Sequence, residues 1–401
     1  MGKKIIAIAS DKRFITLLFF LLVLTAVLQS LFLGPKIYHE GGLEYTHYNN
    51  YKIFKHSFLH LKNYQDLYIL HPQEHWDLYK YSPSFSVFFG LFASLPDWLG
   101  LFLWNFLNAF ILLFAVYYLP KITERQKGLI LLFCAIELMT AIQNQQSNGL
   151  IAGLTILAFG LLERNKYRFA TLCIVFSAFI KLFGLVGFAL FLFYPKKWKL
   201  ALYSVLWTIL LLALPLIFID FEQYKFLFTS WQNMLANDYS SSYGYSVTGV
   251  LHSWSGMEIN KMAVLVTGII MFLIPLARFK QYSNFSFRLL VLTSVLIWVV
   301  IFNHKAESPT FIIAMAGVSI WFVISEKNAL NIILFIMAFI LTSVSRTDIF
   351  PRYLNDNFVI PYSLKAFPCI LIWLKIVYDM IVLKRNFIEN RTGVVEKPLT
   401  A

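Results

Sequence analysis

The sequence predicts an all-α fold, a polytopic integral membrane helix bundle, and three observations carry that prediction. Of its 401 residues, 59% are hydrophobic, 18% aromatic and only 14% charged, whereas a soluble domain carries about 25% charged residues. The apolar residues gather into many separate blocks, each near the roughly 20 residues that span a bilayer as a helix, which excludes a soluble enzyme on a single anchor. Those blocks lack the period-two alternation of a transmembrane barrel. The net charge of +13, from 34 basic and 21 acidic residues, falls mostly in short segments between blocks, as the positive-inside rule expects. Membrane lipids, and no nucleic acid, are therefore the expected surroundings.

Taken in order, the first block, 14–33, follows Lys3, Lys4, Lys12 and Arg13. It is longer than a signal h-region and lacks a small-residue cleavage site, so it reads as a retained helix with its N-terminus in the cytoplasm. Further segments fall at 83–96, 98–119, 128–143, 147–163, 168–180, 182–195, 199–219, 262–279, 287–303, 309–325, 329–345 and 366–384. About 11–13 of these stretches are expected to be membrane segments of a single membrane domain, 1–401. The tail 385–401, with Arg385, Arg391 and Lys397, places the C-terminus inside as well, so the crossings must be even and at least one short segment does not cross. The segments in question are 83–96, bounded by Pro83 and Pro96, and 168–195, either one long helix or two half-helices meeting at Lys181. Cys134, Cys173 and Cys369 lie inside apolar blocks and read as packing residues.

Two connections are too long to be mere turns. The first, 34–82, holds six of the eight histidines together with Glu40, Glu44, Asp66, Glu74 and Asp77. It follows the first helix and is expected outside, as is the acidic second loop, 220–260, while Arg164/Lys166/Arg168 and Lys196/Lys197/Lys199 mark the cytoplasmic side. Within the first loop, Tyr51, Phe54, Phe58 and Leu61 recur at three- and four-residue steps. That spacing predicts an amphipathic helix, either lying on the bilayer surface or packed on the bundle.

Chemistry has few places to reside. His71-Pro72-Gln73-Glu74-His75 fits the inverted zincin pattern, which needs both imidazoles on one helical face; Pro72 argues against that helix, and no metal is expected. There is no P-loop and no dinucleotide fingerprint. Ionisable residues at membrane depth are costly and so are functional candidates. Lys181, in Phe179-Ile180-Lys181-Leu182-Phe183-Gly184, is too deep to snorkel; it either neutralises a phosphate or forms a buried pair with an acid such as Glu137. Two polar clusters interrupt the helices: Gln143-Asn144-Gln145-Gln146-Ser147-Asn148, suited to a hydroxyl-rich ligand, and Asn303-His304-Lys305-Ala306-Glu307-Ser308, with a cation and a titratable imidazole.

The order of these motifs resembles glycosyltransferase family 87 (DUF2029), membrane proteins that include polyprenyl-phosphate-mannose-dependent mannosyltransferases of the C-type glycosyltransferase fold. The resemblance is carried by the first-loop helix from Tyr48 to Tyr68, by Tyr81-Ser82-Pro83-Ser84-Phe85, by Gln145-Gln146-Ser147-Asn148, by Lys181 with Pro195-Lys196-Lys197-Trp198, and by His304 in Asn303-His304-Lys305. It implies substrate-binding roles for Lys181, Gln145, Asn148, His304, Lys305 and Tyr81. One departure matters: where the family carries Asp before an aromatic residue as its base, this chain has Asn50-Tyr51. Glu44, in Glu44-Tyr45-Thr46-His47-Tyr48, is the replacement candidate and Asp66 the second.

The resemblance implies transfer of mannose or a similar hexose from a polyprenyl-phosphate-linked donor to a glycan or glycolipid acceptor, with inversion and without a metal or other cofactor. The site is expected on the outer side of the inner (cytoplasmic) membrane. A transporter or flippase of a lipid-linked saccharide would share the groove and the buried lysine but does not explain the long outer loop. A non-catalytic member would explain Asn50.

Overall fold

The computed structural model describes residues 10–38, 42–237 and 242–382; the basic tail 385–401 lies outside the described residues. The molecule is an α-helical membrane bundle whose strand content, among the described residues, is one two-residue hairpin, β1 (Lys36–Ile37) paired antiparallel with β2 (Glu44–Tyr45). Helix α1 (Lys12–Phe32) starts where the Asp11 carboxylate accepts from the Arg13 and Phe14 amides at 2.8 and 3.2 Å, satisfying donors that the first turn leaves orphaned.

The first-loop helix forms as α2 (Asn49–Lys62), and it packs on the bundle: Tyr51, Phe54, Phe58 and Leu61 are all buried. Its partner is α3 (Pro83–Ala93), where Gly90 lets the Phe58 ring in so closely that a methyl group there would sit 2.7 Å from it. At 11 residues, α3 rises only about 16 Å and cannot cross a core of about 30 Å. This is the short, non-crossing segment that the bounding prolines suggest.

Next come α4 (Asp97–Tyr117), α5 (Glu124–Gln143), α6 (Asn148–Leu162) and α7 (Tyr167–Ile180), with α4 packed on α6. The 168–195 stretch is two legs. A 3-10 helix, Leu182–Phe193, follows α7 and folds back along it; a methyl at Gly184 would meet the backbone of Ser177 and Ala178 at 2.6 Å. Only glycine allows that approach. Helix α8 (Lys197–Ala213) buries just Leu200 and turns Leu202, Val205, Leu206, Ile209 and Leu210 outward, the surface expected of a helix facing lipid.

The 220–260 connection, expected from its acidity to be an outer loop, contains α9 (Phe221–Asn237) and α10 (Val247–Ser255). Leu227, Ser230 and Met234 mark the inner stripe of α9: two are buried, and Ser230 bonds Asp66. The strip is short and half-polar, so hydropathy alone passes over it. After α11 (Lys261–Leu273), helices α12 (Phe285–Ile301) and α13 (Phe311–Ile324) are buried on nearly every face and pack on each other, and α13 also packs on α5. Then follow α14 (Ala329–Ala338), which continues as a π-helix to Val344, and α15 (Phe367–Val382).

Among the described residues, four helices are long and apolar enough to span a bilayer: α1, α4, α5 and α8 with its continuation to Ile217. Other apolar helices are shorter because the chain breaks at Lys181, Pro275 and the turn after Ile301. Such breaks are tolerated at membrane depth only where protein or a water-filled cavity satisfies the backbone, and two of them meet at the site.

Candidate active site

The apex of the α7 hairpin is Lys181, where the chain leaves the helix in extended backbone (φ −139°, ψ 129°) and turns on a Gly184 N–H to Lys181 O bond of 2.8 Å. Ser82 at the head of α3 anchors this apex by donating to Phe179 O at 2.6 Å. The half-buried Lys181 ammonium donates to Asn148 Oδ1 at 2.9 Å and reaches Gln146 Oε1 at 3.4 Å. It also lies 5.7 Å from the centre of the Tyr81 ring, within cation–π range. The fully buried Asn148 amide donates to Gln146 Oε1 at 2.7 Å and to Pro309 O at 3.0 Å. Gln146 donates in turn to Glu307 Oε2 at 2.8 Å. An exposed carboxylate is thus joined to the lysine through one amide, and its charge acts on that lysine.

The loop 143–148 sets this up by a local backbone device. Gln145 occupies the left-handed region (φ 49°), uncommon for a residue with a side chain. It sends its own buried amide to Ser30 Oγ at 3.3 Å, while its carbonyl accepts from Trp104 Nε1 at 2.7 Å. The side chain of Gln145, expected to contact sugar, thus turns to Ser30, and it is Gln146 that faces the lysine. Because α6 begins at Asn148, the positive end of its dipole adds to the Lys181 charge.

The structure brings Lys181, Asn148 and Tyr81 together, and Asn50 sits at the rim, donating to Asn144 O at 2.8 Å. His304 and Lys305 lie in the turn that carries Glu307, and the 220–260 segment closes on this turn through Tyr245 N–H to Ala306 O at 2.9 Å. Glu44 stands on the exposed β2 edge. Asp66 lies beyond the far end of α2, with both carboxylate oxygens taking Ser230 Oγ at 2.9 and 2.8 Å and one taking the Tyr68 amide at 2.9 Å. Sequence reading quoted Gln146 and Glu307 within their motifs but did not single them out. The alternation of facing that a left-handed residue imposes was not visible in it.

Glu137 does not pair with Lys181. It binds Lys365 at 2.6 Å, both side chains fully buried, and Lys365 also donates to Thr342 O at 2.7 Å. A second buried pair joins Glu163 to Arg288 in a two-point contact of 2.6 and 2.9 Å, with the Tyr194 hydroxyl at 2.6 Å. The 71–75 motif is a turn rather than a helix: His71 Nε2 meets Asp66 O and His75 Nδ1 meets Asp77 O. Burial pushes His75 down to about 4, so it is neutral at pH 7.

The helical membrane bundle therefore holds a lysine at a hairpin apex, with amides around it and a carboxylate joined to it through one of those amides. The model of glycosyltransferase family 87 matches residues 79–302, more than half of the chain and the part that contains Lys181, Gln146 and Asn148. The chain belongs to that family and is a glycosyltransferase, taking a sugar from a donor to an acceptor. No curated protein matches it.

Proposed function

We propose that the enzyme transfers a hexose, mannose or a close relative, from a polyprenyl-phosphate-linked donor to a glycan or glycolipid acceptor. The observation that carries this reading is the Lys181 ammonium held at the hairpin apex by Gln146 and Asn148, beside the Glu307 carboxylate. A lipid-phosphate donor brings its own anchor and leaving group, so the protein must supply a cation for the departing phosphate, hydrogen bonds for the sugar and a base for the acceptor. In this mechanism an acceptor hydroxyl attacks the anomeric carbon. The bond from that carbon to the phosphate oxygen breaks, and its electron pair stays on the polyprenyl phosphate, where Lys181 stabilises the charge. The acceptor proton passes to a carboxylate, and the configuration inverts. No metal takes part.

Glu307 is the base in this reading, ahead of Glu44 and Asp66, because it is joined to the lysine by one bridging amide. Asp66 is committed to Ser230 and Tyr68. Gln146, Asn148, Tyr81 and the His304–Lys305 turn shape the sugar pocket, which opens to the outer side of the cytoplasmic membrane beneath the 34–82 and 220–260 loops. The test is to incubate the full-length protein in lipid nanodiscs with polyprenyl-phosphate hexoses and follow polyprenyl phosphate. Acceptor-dependent release supports the reading. Silence with every lipid-phosphate donor, alongside transfer from a nucleotide sugar, removes it.

A further inference from the structure

We propose that His56, His60 and Glu74 form a binding site for a divalent transition metal, best suited to zinc, that clamps α2 to the segment leading into α3. The three ligand atoms, His56 Nδ1, His60 Nε2 and a Glu74 carboxylate oxygen, lie within 4.8 Å of one another. Two histidines four residues apart project from the same helical face. Both point at one atom, Glu74 Oε2, at 2.9 Å from His56 and 2.7 Å from His60.

Zinc held tetrahedrally at about 2.0–2.2 Å from nitrogen and oxygen spaces its ligands by about 3.3 Å, so the two N···O separations must open by roughly half an ångström. Glu74 can give that much, since its side chain is 37% exposed and it sits in a turn. The two imidazoles suit zinc and its transition-metal neighbours, whereas harder ions such as magnesium and calcium prefer oxygen ligands alone, and the exposed side of Glu74 admits a water as fourth ligand. The two lysines whose charges reach His56, Lys52 and Lys55, are both countered by Asp97, at 2.6 and 2.7 Å. The His71 ring lies against the His60 ring, 3.9 Å between centroids and tilted by 30°.

The site lies apart from the Lys181 cluster and plays no part in bond breaking. What it joins is informative. Its helix carries Asn50 to the 143–148 loop, and its turn belongs to the segment that ends at Tyr81. A bound ion would therefore fix the two walls of the outer loop against each other.

The test uses the full-length protein in nanodiscs, purified by a histidine-free tag, stripped with chelator and titrated with zinc chloride against a colorimetric chelator. One saturable equivalent is expected, together with a raised melting temperature and, with cobalt, the absorption of a tetrahedral ion. Loss of an outer partner of a ligand typically costs about 10- to 100-fold in affinity, and loss of a ligand should cost at least as much. His60→Ala and Glu74→Gln should each show it. Glu74→Gln preserves the size and hydrogen bonding of the turn, so it reports on ligation even if His60→Ala misfolds. Absence of saturable binding, or binding unchanged in Glu74→Gln, overturns the proposal.

Discussion

Glu307 and Glu44 are both exposed carboxylates, yet they differ in what surrounds them. Glu307 is reached by the Gln146 amide, which also touches Lys181, whereas Glu44 lies on a two-residue strand at the molecule's edge. If Glu307 takes the acceptor proton, Glu307→Gln should abolish transfer, by about 100-fold or more, while donor binding persists. Glu44→Gln should keep nearly full activity. Rates of transfer for the two variants, side by side, decide between them, and the reverse pattern would return the base to the first loop. Lys181 was legible in the sequence because a lysine at membrane depth has few inexpensive explanations, and Asn148 because it belongs to a polar cluster that interrupts two apolar helices. Gln146 and Gln145 were not distinguishable, since the positive φ at Gln145 decides which of two adjacent glutamines faces the lysine. Glu307 was hidden for a related reason: nothing in its neighbourhood shows that a loop 161 residues earlier in the chain lies against it.

Elements were legible where burial is periodic or punctuated. The α2 stripe and the break at Lys181 follow from spacing and from one misplaced charge, and the choice between one helix and a hairpin was settled by how closely Gly184 meets α7. Helices α9 and α10 escaped because their inner faces bury few residues. Pairing between elements lay beyond reach, and Lys365 shows why. It stands in an ordinary-looking turn before α15, yet it is fully buried and binds one oxygen of Glu137 on α5. Removing one member of such a pair leaves a charge uncompensated and costs about 3–5 kcal/mol, while replacing both with apolar groups is often neutral. Lys365→Met should therefore destabilise the protein strongly, and Glu137→Leu combined with Lys365→Met should recover most of the loss. Melting of the single and double variants in nanodiscs checks this; additive losses would mean that the pair is not coupled.

For the whole molecule, the class was decided by composition and the family by the order of short motifs, and both agree with the helical bundle and the match over 79–302. Orientation rests on the basic residues, which predict that the 34–82 loop faces outward. The native cysteines are all buried, so a single Gln65→Cys variant should react with an impermeant maleimide on intact cells. Labelling only after permeabilisation would invert the topology and with it the side on which the acceptor is met. At the hairpin apex, Lys181 is the residue proposed to meet a departing phosphate. Single-turnover release of polyprenyl phosphate from a polyprenyl-phosphate hexose, compared between the native enzyme and a folded Lys181→Met variant, tests that most directly. Loss of one electrostatic donor of this kind slows chemistry by about 100- to 1000-fold, and that is the predicted result. Equal release rates in the two proteins would contradict it.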